Sequence, residues 1–238
     1  MMISHSEDKN CISYWYPVAA RLTRVPLTAI YQTDHVAILQ SLDGEFTPEF
    51  KALVDWIEDA VEWFGGYPVF LRTGHTSGKH EWVKTCYFAN DNKIEEHIYN
   101  LVEYSACAGV MGLPVDTWAV REFLKLDAPF TAFNGLPIGR ERRLFVRDGI
   151  CECVHPYWPI GAFEEEDLSG AQIDALVKDN IVTGEQRWNL VPVAERVGEA
   201  LGGYWSIDFA QTVNGDWYLI DMAEGDKSYH WEDCERVR

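Results

Sequence analysis

The 238-residue sequence predicts an α+β fold in two lobes. Three observations point there. Two amphipathic helical stretches, at 48–64 and 92–108, alternate with short β-rich runs in the first half of the chain. Two hairpin patterns, at 139–155 and 203–222, dominate the second half, with only weak helical stretches between them. No internal repeat or low-complexity linker interrupts the sequence, and its length suffices for a sizeable core. The expected divisions are an N-terminal segment with the first helix at 1–60, a small lobe at 61–117 and a large lobe at 118–238.

Residues 1 to about 10 are polar and expected to be loose. Pro17 and Pro26 break the stretch 15–30, leaving a short strand at 25–31 that proline restricts to a sheet edge. Helix 48–64 carries Phe50, Leu53, Val54, Ile57, Val61 and Phe64 on one stripe. Thr47 and Pro48 supply its cap and first turn, and Gly65-Gly66 ends it. A strand at 67–72 then feeds the loop Thr73-Gly74-His75-Thr76-Ser77-Gly78-Lys79-His80, and a second strand is expected at 81–88. Backbone N–H groups in such a loop, with Lys79 beside them, suit a phosphate; a plain hairpin loop is the alternative. It is not a Walker A loop, because the spacing is wrong and no helix opens directly after it.

Helix 92–108 places Ile94, Ile98, Leu101 and Val102 on one face, with Gly109 after its end. A connector at 110–117 leads to a strand at 118–124, read as the start of the second lobe. The hairpin 139–155 turns at Asp148-Gly149, with Arg143, Phe145 and Arg147 on one face and Leu144 and Val146 on the other. The acidic run 164–167 reads as solvated, followed by weak helices at 167–178 and 192–202, the latter opened by Pro192.

The last hairpin carries the most chemistry. Asn214-Gly215 between aromatic and β-branched runs predicts a two-residue turn, which sets Asp208 directly opposite Asp221. Alternation then sends Ile207, Phe209, Tyr218, Ile220 and Met222 to one face and both aspartates to the other. Like charges so placed repel, and need a shared proton or a cation. A hard divalent ion such as Mg²⁺ answers that need. A wider turn would slip the register and leave two ordinary strand-end residues.

The net charge of −18 argues against a nucleic-acid binder and against anionic membrane surfaces. The cations are nevertheless grouped: Arg140, Arg142, Arg143 and Arg147 in one cluster, Arg72, Lys79 and Lys84 in another, as if around a small anionic ligand. Six cysteines (11, 86, 107, 151, 153, 234) show no framework spacing, and neither a signal peptide nor a spanning apolar run is evident. Free thiols in a reducing cytoplasmic compartment are therefore expected. Cys151, Cys153 and His155 alternate on one strand face, but consecutive i, i+2 ligands make poor tetrahedral geometry, so packed thiols are the expectation. No Gly-x-Ser-x-Gly elbow and no helical His-x-x-x-His pair occur.

The order of these elements, over 25–226, resembles the ATP-grasp family, in which two α+β lobes hold ATP between them. The strand Tyr67-Pro-Val-Phe-Leu-Arg72 resembles the one that carries a phosphate-binding lysine, with Arg72 in its place as in a divergent clade. Ser77-Gly78-Lys79 looks like the loop that closes over the phosphates. Val120-Arg121-Glu122-Phe123-Leu124 is similar to the inter-lobe hinge that holds the adenine. Glu141-Arg142-Arg143-Leu144-Phe145-Val146 resembles the strand whose arginine, here Arg143, reaches the phosphates. Asp208 and Asp221 match the two metal-binding acids. Where the family has an asparagine two residues after the last acid, this chain has Ala223, leaving Glu224 or Asp226 to supply the oxygen, or a weak second metal position. The resemblance implies ATP and Mg²⁺ as cofactors, with Arg143 and Lys79 in the catalytic machinery. It implies ligation of a small-molecule or peptide or protein carboxylate to an amine through an acyl phosphate. It extends, through Trp15-Tyr16-Pro17, to ATP-grasp-like chaperones of translation-factor assembly, so the alternative is a non-catalytic ATP-binding factor with a protein partner.

Overall fold

The structure, a computed structural model, describes residues 7–90, 93–232 and 234. The polar start at 1–6 and residue 92, where the second helix was expected to open, lie outside the described residues.

Two antiparallel four-stranded sheets organise the fold. Strands β1 (Thr28–Gln32), β2 (Val69–Thr73), β3 (Tyr87–Phe88) and β4 (Thr117–Glu122) form the first, in the order β1-β4-β2-β3. A two-stranded ribbon, β5 (Phe130–Ala132) with β6 (Leu136–Ile138), follows. The second sheet has β7 (Glu141–Arg147), β8 (Ile150–Pro156), β9 (Tyr204–Gln211) and β10 (Trp217–Glu224) in the order β10-β9-β7-β8.

Six α-helices cover these sheets: α1 (Ile12–Leu22), α2 (His35–Leu39), α3 (Pro48–Trp63), α4 (Ile94–Ala106), α5 (Gly170–Asp179) and α6 (Gly184–Leu201). Helix α3 begins as its sequence dictates. Thr47 Oγ1 accepts the Phe50 N–H, Pro48 occupies the first turn, and Gly65 and Gly66 follow the end at φ 85° and 105°. Its buried Phe50, Leu53, Ile57 and Val61 pack with Ile98 and Leu101 of α4 and with Leu71 and Val120 of the first sheet. Each such side chain contributes about 1.5–3 kcal/mol of burial. A second core joins Ile12, Trp15 and Ala19 of α1 and Leu190, Ala194 and Val197 of α6 to the inner face of the second sheet. Among the described residues, no helix is long and apolar enough to cross a membrane.

Four local expectations change. Helix α1 forms although Pro17 lies inside it, because Ile12 donates its N–H to Gly74 O at 2.8 Å and Ile12 and Trp15 are fully buried. Tertiary burial outweighs the lost helical hydrogen bond. Pro192 likewise lies within α6, on its exposed side, and Thr183 caps that helix, which begins eight residues ahead of the expected start. The strand expected at 81–88 shrinks to β3. A short 3-10 turn at Lys79–Glu81 precedes it, and Thr85 Oγ1 donates to Gly78 O at 2.8 Å while the Thr85 N–H donates to Glu81 O at 3.0 Å, satisfying the backbone locally. Finally β4, expected to open the second lobe, pairs between β1 and β2 in the first sheet, whereas α1 packs on the second sheet. The sheets thus interleave in sequence.

Gly198 lets α6 lie against β7: an added Cβ would stand 2.5 Å from Val146 Cγ1, a branched side chain fully buried in its strand. Gly198→Ala gains about 1 kcal/mol of helix propensity, but overpacking costs about 1–3 kcal/mol. The expected net loss is on the order of 1 kcal/mol, read as a lower midpoint in urea; an unchanged or raised midpoint contradicts this packing.

Candidate functional site

The aspartates do face each other, by a different route from the one expected. Near the turn the pairing is Trp217 with Gln211 and Leu219 with Phe209, so the loop holds three residues, Val213 to Gly215, with Gly215 at φ 83°. A bulge between Leu219 and Asp221 then inserts Ile220 and brings Asp221 opposite Asp208. The bulge also changes the faces. Leu219 and Met222 join Ile207 and Phe209 in the core, while Ile220 lines a cleft instead of facing inward with Tyr218 as expected.

That cleft opens between the two sheets and spans about 870 Å³, counting the part open to solvent. Phe70, Phe123, Leu124, Leu126 and Leu136 make one part apolar; Arg72, Lys79, Arg121, Glu141, Asp208 and Asp221 charge the other. Arg72 Nη1, from β2, donates to Asp221 Oδ1 at 2.9 Å. Arg143, from β7, donates through Nε and Nη2 to both Asp208 oxygens at 2.8 Å. Arg121 Nη1 donates to the Ile220 carbonyl at 2.7 Å, and its buried Nη2 has no hydrogen-bond partner. Lys79 Nζ sits 4.0 Å from the Tyr157 ring centre, 4.5 Å from that of Trp158 and 4.0 Å from Glu141 Oε2.

Burial alone would raise the Asp221 carboxyl. The charge and hydrogen bond of Arg72, with Arg121 and Lys79, outweigh it and hold the group below the ordinary carboxylate range. Burial also opposes charge on Lys79, yet Tyr157, Glu141 and Asp208 raise it above the usual lysine value. Burial and the neighbouring Arg72 push Arg121 down to about 10. Burial raises the Glu141 carboxyl despite Lys79 and the Trp158 N–H.

Of the expected site residues, Arg72, Ser77, Lys79, Arg121, Glu122, Phe123, Leu124, Asp208 and Asp221 meet in the cleft wall, and Arg143 joins them through Asp208. Gly78 turns the loop at φ 57°. Glu224 falls elsewhere. It shares the alternation of core-facing Met222, and its Oε2 accepts from Asn10 Nδ2 at 3.2 Å, with Lys9 at 4.0 Å from Oε1. The arginine cluster also divides. Arg140 and Arg142 pair with Asp179, Arg147 with Glu152, and Lys84 with Glu81, away from the cleft. Sequence reasoning missed Tyr157 as a cleft residue, because no spacing marks an aromatic that a distant loop lysine covers.

A family model described as an ATP-grasp domain, family 3 of a divergent clade, matches residues 61–234. The chain belongs to the ATP-grasp family. No curated protein matches its sequence. Among solved structures, Cdc123 from Schizosaccharomyces pombe superposes with a TM-score of 0.55 at 15% identity, covering 94% of this chain and 87% of that one. D-Alanyl-alanine synthetase A from Vibrio cholerae gives 0.49 at 14% identity, with coverage of 91% and 55%. The ligase PsnB complexed with minimal precursor gives 0.47 at 9% identity, with coverage of 90% and 52%. The chain thus spans about half the length of the ligases it matches, and at these identities the likeness concerns the ATP-grasp fold alone.

Because Asp221 is held below its unfolded value, its contribution to stability is complete above pH 3.8 and is lost as pH falls through the depressed folded value. Asp221→Asn, which leaves Arg72 beside Arg121 uncompensated, is expected to be less stable than wild type near pH 7. The gap should close in acid. Denaturant midpoints between pH 7 and 3 check this, and a gap that stays constant contradicts it.

Proposed function

We propose that the cleft binds ATP with Mg²⁺ and that the protein joins a carboxylate to an amine through an acyl phosphate. The observation that carries the reading is the pair of ion pairs, Arg72 with Asp221 and Arg143 with Asp208, standing in one cleft. A triphosphate accepts guanidinium donors, and a hard divalent cation takes carboxylate oxygens, so the two together exchange both pairs without unbalancing charge. The opposed carboxylates and the unpartnered Arg121 Nη2 fit that ligand set. Asp208 and Asp221 would hold the metal; Arg72, Arg121, Arg143, Ser77, Gly78 and Lys79 the phosphates; Glu122, Phe123 and Leu124 the adenine. Magnesium, when bound, supplies charge neutralisation on the phosphates.

In this reading the chain positions and neutralises, and no side-chain nucleophile is needed. Arg143 and Lys79 steady the γ-phosphate while a substrate carboxylate oxygen bonds to its phosphorus and ADP leaves. The amine nitrogen then bonds to the acyl carbon and phosphate departs. The apolar wall keeps water from the activated acyl group.

A second reading, an ATP-binding assembly factor without turnover, is favoured by one observation. Ala223 offers no side-chain oxygen two residues after Asp221, and Glu224 is engaged with Asn10. The two readings separate in one assay. Nucleotide affinity is expected to require Mg²⁺ and to fall at least tenfold in Arg72→Ala, since a hydrogen bond between charged groups is worth about 1.5–3 kcal/mol. ADP release that depends on added carboxylate and amine supports the ligase; affinity without ADP release across such a panel supports the assembly factor. No binding at millimolar ATP overturns both.

A further inference from the structure

A second cluster of ligating groups stands on the edge strand β8, outside the nucleotide cleft. A bulge in the β7–β8 pairing sets Cys153 opposite Phe145 and His155 opposite Arg143, and turns Cys151 toward the core instead. Cys151 and Cys153 therefore do not share a face, contrary to the sequence expectation. His230 and Cys234, from the segment after β10, complete the group. One ligand atom from each of the four residues lies within 4.8 Å of every other.

We propose that Cys153, His155, His230 and Cys234 bind one zinc ion in a tetrahedral site that fastens the C-terminal segment to β8. Zn–S bonds of about 2.3 Å and Zn–N bonds of about 2.0 Å place tetrahedral ligand atoms roughly 3.3–3.8 Å apart. The widest pair here need close only about 1 Å. The histidine geometry is already that of a ligand. His230 Nδ1 lies 3.2 Å from the Trp231 carbonyl, to which its N–H donates, leaving Nε2 at 3.1 Å from Cys153 Sγ. His155 Nε2 is buried and has no hydrogen-bond partner. Both cysteines are free thiols. Two sulfurs and two imidazoles at tetrahedral reach select zinc over the hard cations that suit Asp208 and Asp221.

The surroundings agree. Burial and the adjacent His230 push His155 down to about 4, so the imidazole is neutral and able to coordinate near pH 7. Burial and the adjacent Cys234 push the Cys153 thiol up, so its proton leaves only as the metal arrives. The fastened segment bears on the nucleotide site. Tyr229 O accepts from Arg143 Nη1 at 3.3 Å, and Trp231 Nε1 donates to Pro156 O at 2.9 Å. Zinc would thus hold in place a backbone carbonyl that orients Arg143.

The test is titration of chelator-stripped, reduced full-length protein with Co²⁺ and then Zn²⁺. The expected result is one ion per chain, with thiolate charge-transfer and tetrahedral d–d absorption for Co²⁺, proton release, and a higher thermal midpoint with Zn²⁺. The thiolate band should vanish in Cys153→Ser and in Cys234→Ser, and persist in Cys107→Ser and in Asp208→Asn. Should either cysteine variant fail to fold, the wild-type cobalt spectrum decides alone. Absence of a thiolate band in the reduced wild type, its survival in Cys153→Ser, or a Cys153–Cys234 disulfide in protein purified with zinc under reducing conditions would overturn the proposal.

Discussion

Two carboxylates held opposite each other across a hairpin repel, and both sheets contribute cations to meet them. Arg143 comes from the same sheet as Asp208 and grips it bidentately. Arg72 comes from the other sheet, so its bond to Asp221 ties the lobes together. The bulge at Ile220 adds a second tie, since the irregular pairing there leaves a carbonyl that Arg121 reaches from β4. Arg72 is 4% exposed, and a fully buried pair that loses one partner costs about 3–5 kcal/mol. The cost here is smaller, because the Asp221 side chain is 44% exposed to the cleft and solvent screens it. That intermediate strength suits a contact that holds the lobes and still yields to a stronger ligand.

The Gly-rich loop adds a second, softer connection between the lobes. Lys79 lies over Tyr157 and Trp158, and His80 stacks on Phe133 with ring centres 4.5 Å apart. A cation over an aromatic face is worth about 0.5–2 kcal/mol, far less than the strands behind the loop gain from burial. Loop and scaffold therefore differ in stability, as a phosphate-covering segment requires.

The elements that were legible in sequence are those whose signals are local. Helix α3 carries its cap, stripe and glycine stop within twenty residues, and the Asp148-Gly149 turn carries both positive-φ residues in one dipeptide. What escaped depends on distant partners. Pro17 argues against α1 until the core that buries Trp15 is known. The Asp208–Asp221 opposition was anticipated from a two-residue turn, but a three-residue turn and a compensating bulge produce it, each shifting the register by one. Cys153 and His155 look like packed strand residues alone, and only the fold brings His230 and Cys234 to them. A His-x-x-x-Cys spacing near the C-terminus was the one signal available, and it has little specificity by itself.

The exchange of charge partners in the cleft is tested most directly by a crystal structure with Mg²⁺ and a non-hydrolysable ATP analogue. The guanidinium groups of Arg72 and Arg143 should then lie within hydrogen-bond distance of phosphate oxygens, with Asp208 and Asp221 oxygens on the metal. An analogue bound in the cleft with both arginine–aspartate pairs unchanged, or bound elsewhere, would contradict the assignment.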